Sequence, residues 1–208
     1  MEMEATSHQV LGLTAGIATI TGFQLIDYTP DSFLTTFIFI VVVLVGSLFP
    51  DIDTPTSKLG RLFWNVGFLL LIVAYLMWVF YPEGMIQLVG EYRFYAILLF
   101  PLLFVFKGHR KFTHSLLFLA LVGGYGLFMY WYFEVYWLYL LGFFVGVLSH
   151  LLGDYITKRG IPLFYPFSKT YYKFFVTFKT GSTAERLITF LLIVLNLYLL
   201  LPDGWGWK

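Results

Sequence analysis

The sequence predicts an all-α fold, a polytopic membrane helical bundle of about seven transmembrane helices with its amino terminus in the cytoplasm. Three observations carry that expectation. Hydrophobic residues fill 59% of the 208 positions, aromatic residues 22% and charged residues only 12%, whereas soluble domains run at roughly 45–50% apolar and 25% charged. Apolar runs able to span ~30 Å of hydrocarbon, which takes about 17–25 helical residues, recur along the whole chain. Lysine and arginine are then shared very unequally between the two sides those runs define.

The runs fall at about 9–26, 33–50, 62–81, 92–106, 114–133, 135–153 and 186–201. The first is rich in Gly12, Thr14, Ala15, Gly16, Ala18, Thr19, Thr21 and Gly22, and small residues are what membrane helices use where they pack closely. It reads as a buried helix of the bundle. The acidic Met1-Glu2-Met3-Glu4 before it is unlike the basic start of a cleavable signal. The second run ends at Pro50. The fourth is short for a span and extends into its polar flanks. Gly181-Ser182-Thr183-Ala184-Glu185 reads as a capping box for the last helix, with Ser182 as N-cap and Glu185 at N3.

Residues 1–208 form one transmembrane domain, since no polar stretch is long enough for a separate soluble one. Its longest non-spanning part is 155–185, where Lys158, Arg159, Lys169, Lys173 and Lys179 alternate with aromatic residues. That mixture suits the headgroup layer. It is either an interfacial anchor or a lip that gathers an anionic lipid or phosphate; nucleic acid is not an expected partner.

With the amino terminus inside, eleven of the thirteen basic residues lie on the cytoplasmic side, leaving only Arg93 and Lys208 outside. The chain is thus expected in the cell (inner, cytoplasmic) membrane as a multi-pass protein. Neither His nor Asp enters that count, yet the same orientation puts all four histidines and three aspartates on the cytoplasmic face. Ionisable groups near membrane depth cost roughly 2.5–3.5 kcal/mol or more each and signal function by default.

Those seven groups are His8, Asp51, Asp53, His109, His114, His150 and Asp154. His150 and Asp154 are four apart at the end of the sixth run and share a helix face, which suits two ligands of one metal or a simple helix-end hydrogen bond. Gly153 between them permits a close backbone approach. Pro50 and Pro55 bracket Asp51 and Asp53 in a stiff, extended or turn-like segment whose alternate positions face the same way. His109 is assigned to a loop and His114 to the first turn of the fifth helix, with Thr113 as its N-cap. His8 begins the first helix. With no cysteine, any metal is held by nitrogen and oxygen.

At these residues the chain resembles the membrane-bound, LexA-regulated, metal-dependent hydrolase-like proteins of bacteria and archaea. The matching stretches are Ser7-His8, Phe49-Pro50-Asp51-Ile52-Asp53 with Ser57-Lys58-Leu59-Gly60-Arg61, His109-Arg110-Lys111-Phe112-Thr113-His114-Ser115, Ser149-His150-Leu151-Leu152-Gly153-Asp154, then Thr157-Lys158-Arg159-Gly160-Ile161-Pro162 and Tyr165-Pro166-Phe167. They cover about residues 7–168. The resemblance implies a metal-dependent hydrolase and a distant likeness to zinc-dependent phospholipases C. Arg61 and Arg110 can be read as paired N–H donors to a phosphate.

The expected activity is therefore hydrolysis of a phosphoester in a membrane lipid or lipid-linked substrate at the cytoplasmic face. One or two divalent ions, zinc first and manganese or magnesium next, would be held by some of the seven groups, with Asp53 as the carboxylate that takes the proton from water. Two other classes compete with it. A divalent-metal transporter would string ligands along a path through the bilayer, and a non-enzymatic membrane scaffold would use the same clusters for structure alone.

Overall fold

The computed structural model describes residues 3–53, 58–90 and 111–200. Among these residues the fold is all-α, without strands: α1 (Ala5–Gln24), α2 (Phe33–Leu48), a short 3-10 helix (Phe49–Asp53), α3 (Lys58–Phe80), α4 (Pro82–Gly90), α5 (Leu116–Phe133), α6 (Trp137–Tyr155) and α7 (Thr183–Leu199). The helix expected at 92–106 lies outside the described residues. The short α4 replaces an expected loop, because Pro82 opens it at the one helical position where a missing N–H costs nothing. Among the described residues three stretches are long and apolar enough to cross a membrane, Phe33–Ile52, Leu116–Phe133 and Trp137–Tyr155. Seven such spans were expected. Two of the other runs differ for visible reasons: α1 is diluted by threonine and glycine, and α7 has only 17 residues.

The chain forms two compact units, residues 51–110 and the remainder. The smaller unit contains α3 and α4, which pack on each other, and α3 exposes Leu69, Ile72, Val73, Tyr75, Leu76 and Trp78 along its length.

The larger unit holds α1, α2, α5, α6 and α7, and α6 packs on α1, α2 and α5. Its α2 crossing is close because glycine faces glycine. A Cβ on Gly46 would sit 2.5 Å from the Phe143 carbonyl oxygen, and one on Gly146 would run into that of Val43. Such small-residue contacts let membrane helices gain dispersion energy where lipid offers no hydrophobic drive. Gly142 gives Phe39 its place in the same way, and Gly12 of α1 lies against Ser47 of α2. Ile20, Phe39, Val43 and Leu138 are buried together as the apolar core.

Within the larger unit one end gathers the starts of α1, α5 and α7 with the ends of α2 and α6. At the opposite end Phe23, Tyr28 and Trp137 pack edge to face, and the Tyr136 hydroxyl donates to Asp31 at 2.8 Å while standing 3.1 Å from the Tyr28 hydroxyl. Outward-facing Phe37, Val45, Leu127, Trp131, Phe190 and Leu197 are exposed, as expected of surfaces solvated by lipid.

Two helix starts differ in how they were foreseen. The Ser182 hydroxyl accepts from the Glu185 amide at 3.4 Å, which bears out Ser182 as the N-cap of α7, while the Glu185 carboxylate reaches one residue further back than a capping box and accepts from Gly181 at 2.6 Å. Glu185 does more, because its other oxygen accepts the Glu4 amide at 2.8 Å and its side chain is fully buried. The N-cap of α5, however, is Ser115 and not Thr113: the Ser115 hydroxyl accepts from Phe118 at 3.1 Å. His114 thus precedes α5 in a turn, which frees Thr113 for another task.

Candidate metal centre

Four of the expected ligands meet in the larger unit, brought there by three separate stretches of chain. His8 is in the first turn of α1, His114 in the turn before α5, and His150 and Asp154 on the last turns of α6. All four are at most 1% exposed. A buried carboxylate needs partners to offset its lost hydration, and Asp154 takes them on both oxygens. Its Oδ1 accepts the Met3 amide at 2.9 Å and lies 3.3 Å from His8 Nε2. Its Oδ2 lies 3.2 Å from His114 Nε2 and 3.7 Å from His150 Nε2.

The histidine rings are oriented from behind. His150 Nδ1 is 2.7 Å from the Ser47 carbonyl oxygen, which belongs to the last turn of α2, where carbonyls lack partners within the helix. A carbonyl only accepts, so Nδ1 carries the proton and the neutral ring presents an Nε2 lone pair to the cluster. His114 Nδ1 is 3.0 Å from the Thr113 hydroxyl, which leaves its Nε2 directed inward. His8 stacks flat on His150, with ring centroids 3.8 Å apart and planes 9° from parallel. The absence of a side chain on Gly153 makes that room, since a Cβ there would lie 3.1 Å from His8 Nδ1.

The three inward atoms, His114 Nε2, His150 Nε2 and Asp154 Oδ2, form a triangle with edges of 3.2, 3.2 and 3.7 Å. Ligand atoms roughly 2.0–2.1 Å from a tetrahedral zinc ion are about 3.3 Å apart. One N–H on His114 cannot serve both His150 Nε2 and Asp154 Oδ2, whereas a cation at the centre of the face satisfies all three atoms. Asp154 Oδ2 is buried with no well-formed hydrogen bond among the described residues. The donor set, two imidazoles and one carboxylate, could hold a metal ion, and these three residues would be its ligands.

A family model described as YdjM inner membrane protein matches residues 3–204. The chain belongs to the YdjM inner membrane protein family. That places this YdjM-family chain in the inner membrane, in accord with its apolar spans. No curated protein and no solved structure matches the chain, so the family stands and the further likeness to zinc-dependent phospholipases C has no match behind it.

Of the remaining expected site residues of this YdjM member, Asp51 offers its carboxylate with His8 and His150 as a second group that could hold an ion. Asp51 is half-buried on the 3-10 helix that follows α2, and Asp53 ends that helix. Of the extended and turn-like readings of that segment the turn-like one describes it, since Phe49–Asp53 is a short 3-10 helix. Arg61 is exposed on α3. His109 and Arg110 lie outside the described residues. Sequence reasoning missed Ser47, Thr113 in its orienting role, and the Met3 amide. Met3 and Ser47 act through the backbone, which carries no side-chain signature. A pattern on α6 was readable: Gly142, Gly146, His150 and Asp154 recur every four residues, so the tight contact and the ligands lie on one ridge.

Proposed function

We propose that this chain is a membrane-embedded, metal-dependent hydrolase that acts at the cytoplasmic face on a phosphoester of a lipid or lipid-linked substrate. The observation that supports it best is the buried triangle of His114, His150 and Asp154. Three protein ligands with a fourth position left to water or substrate is the arrangement of catalytic zinc sites, whereas structural sites use four. All of these ligands sit at one end of the helices of the larger unit, which favours chemistry at a membrane face over a transport path. In this reading the chain crosses the membrane seven times with its amino terminus inside, and one or two ions are bound, zinc before manganese or magnesium.

A bound divalent ion would supply a water of lowered pKa and polarise the phosphoryl oxygen. The protein's own part is to hold the ligands. The Ser47 carbonyl and the Thr113 hydroxyl aim the two imidazoles, and the Met3 amide pins the Asp154 carboxylate.

Elemental analysis of purified protein is the first test, with about one or two divalent ions per chain expected. His150→Ala and Asp154→Ala should each lose most of that metal and at least about a hundredfold of any activity found in a screen of phospholipids and isoprenoid phosphates. Protein that binds no divalent metal, or variants as active as the parent, would overturn the proposal in favour of a scaffold. Metal accumulation in proteoliposomes would favour a transporter.

A further inference from the structure

Away from the metal centre, the densest charge in the larger unit lies between α6 and α7. From Tyr155 to Ser182 the chain carries Lys158, Arg159, Lys169, Lys173 and Lys179 and no aspartate or glutamate. All five bases are exposed. The segment is nevertheless folded. Ile161 and Tyr172 exchange both backbone hydrogen bonds, at 2.9 and 2.8 Å, while the Lys158 amide donates to Phe178 at 2.9 Å. Gly160 turns the chain with φ +69°, where a Cβ would strike the Tyr172 carbonyl oxygen. Thr157, Ile161 and Phe178 are buried inside it.

On this scaffold the apolar side chains with the least cover are Phe167 and Phe175, 88% and 86% exposed, with Val176 at 65%. The Arg159 guanidinium stands 5.9 Å over the Tyr171 ring, within cation–π range. Water would solvate the lysines but not the phenylalanines, and hydrocarbon the reverse. Only the boundary layer of a bilayer accepts both, and an unbroken positive charge selects bilayers of negative surface.

We propose that residues 156–182 are a docking platform for anionic phospholipids, whose headgroup phosphates are held by Lys158, Lys169, Lys173 and Lys179 while Phe167 and Phe175 enter the acyl boundary. The platform is tied to the metal centre through the backbone. The Thr157 hydroxyl and amide both donate to the Asp154 carbonyl, at 2.8 and 3.1 Å, and the Phe174 amide donates to that of Tyr155 at 2.9 Å. Lipid phosphates therefore collect within a few residues of Asp154. The platform binds lipid whether or not the centre is hydrolytic.

The test uses full-length protein in mixed micelles holding equal phosphatidylglycerol and phosphatidylcholine, with retained lipids counted by native mass spectrometry. Phosphatidylglycerol should be retained over phosphatidylcholine by about fivefold or more. In Lys158→Gln/Lys169→Gln/Lys173→Gln/Lys179→Gln the ratio should fall to about one with divalent-metal content unchanged. The pair Lys169→Gln/Lys173→Gln should give an intermediate ratio and serves if the fourfold variant does not fold. Equal retention by the parent, or a preference untouched by the substitutions, would overturn the proposal. So would displacement of phosphatidylglycerol by inorganic phosphate at constant ionic strength, which would indicate a free-phosphate site.

Discussion

At the scale of single residues, the centre depends on groups that do not themselves face its interior. Thr113 is the clearest case. Its hydroxyl lies 3.0 Å from His114 Nδ1, so it sets which way the ring points and which nitrogen is left for a ligand role. Partners behind metal ligands are typically worth about 10–100-fold in affinity. Thr113→Val should therefore weaken zinc binding by about that factor in a chelator competition, and Thr113→Ser should restore it. The stability of the metal-free protein to melting should also fall, by about 1–3 kcal/mol, because the buried ring nitrogen loses the hydroxyl, and Thr113→Ser should recover that loss too. The His150–Asp154 pair was legible in the sequence because helical geometry converts a spacing of four into a shared face. Asp154's contact with His8, across 146 positions of chain, was not legible, since it depends on how α1 lies against α6.

At the scale of elements, helix ends carry most of the organisation. Among the described residues six of the seven apolar runs coincide with helices, the run at 92–106 lying outside them, and Ser182 with Glu185 marked the start of α7 correctly. The same pair also held information that no local pattern expresses. Glu185 receives both Gly181 and Glu4 amides, so a cap on α7 also fastens the start of α1, two residues before Ser7. Glu185→Ala leaves two N–H groups without their acceptor and should destabilise the protein by about 1–3 kcal/mol in thermal or denaturant unfolding. Glu185→Gln, which keeps one carbonyl acceptor, should lose less. Around Pro50 local reasoning went half way. Two flanking prolines argued for an extended or turn-like segment, and the chain leaves α2 as the short 3-10 helix Phe49–Asp53.

At the scale of the whole molecule, orientation is the property that sequence expresses most fully and local structure least. Positive charge is counted over loops, and no single residue decides it. The chain contains no cysteine, so single introduced thiols report sidedness without background. Thr29→Cys, in the exposed loop after α1, should react with a membrane-impermeant maleimide in intact cells. Lys169→Cys, on the platform between α6 and α7, should react only after the membrane is opened. The reverse pattern would place the centre on the outer side and remove the basis for a cytoplasmic substrate. Bundle packing was the least legible level, because glycine is read from a sequence as flexibility or breakage. Here Gly46 and Gly146 are the places where two backbones touch.

That contact bears on how freely such a chain can change over time. On α6 the positions that admit α2 and the positions that bear the polar cluster follow one another at intervals of four along a single row, Gly142 and Gly146 and then His150 and Asp154. Most proteins can lose or gain residues within an element that merely supports a site, provided the site itself is spared. Here a single-residue insertion or deletion between Gly146 and His150 turns one set by about 100° against the other, so α2 and the imidazole can no longer be satisfied together. Length variation in descendants of this sequence is thereby pushed into the loops, and α6 is left to vary only by exchange of one side chain for another.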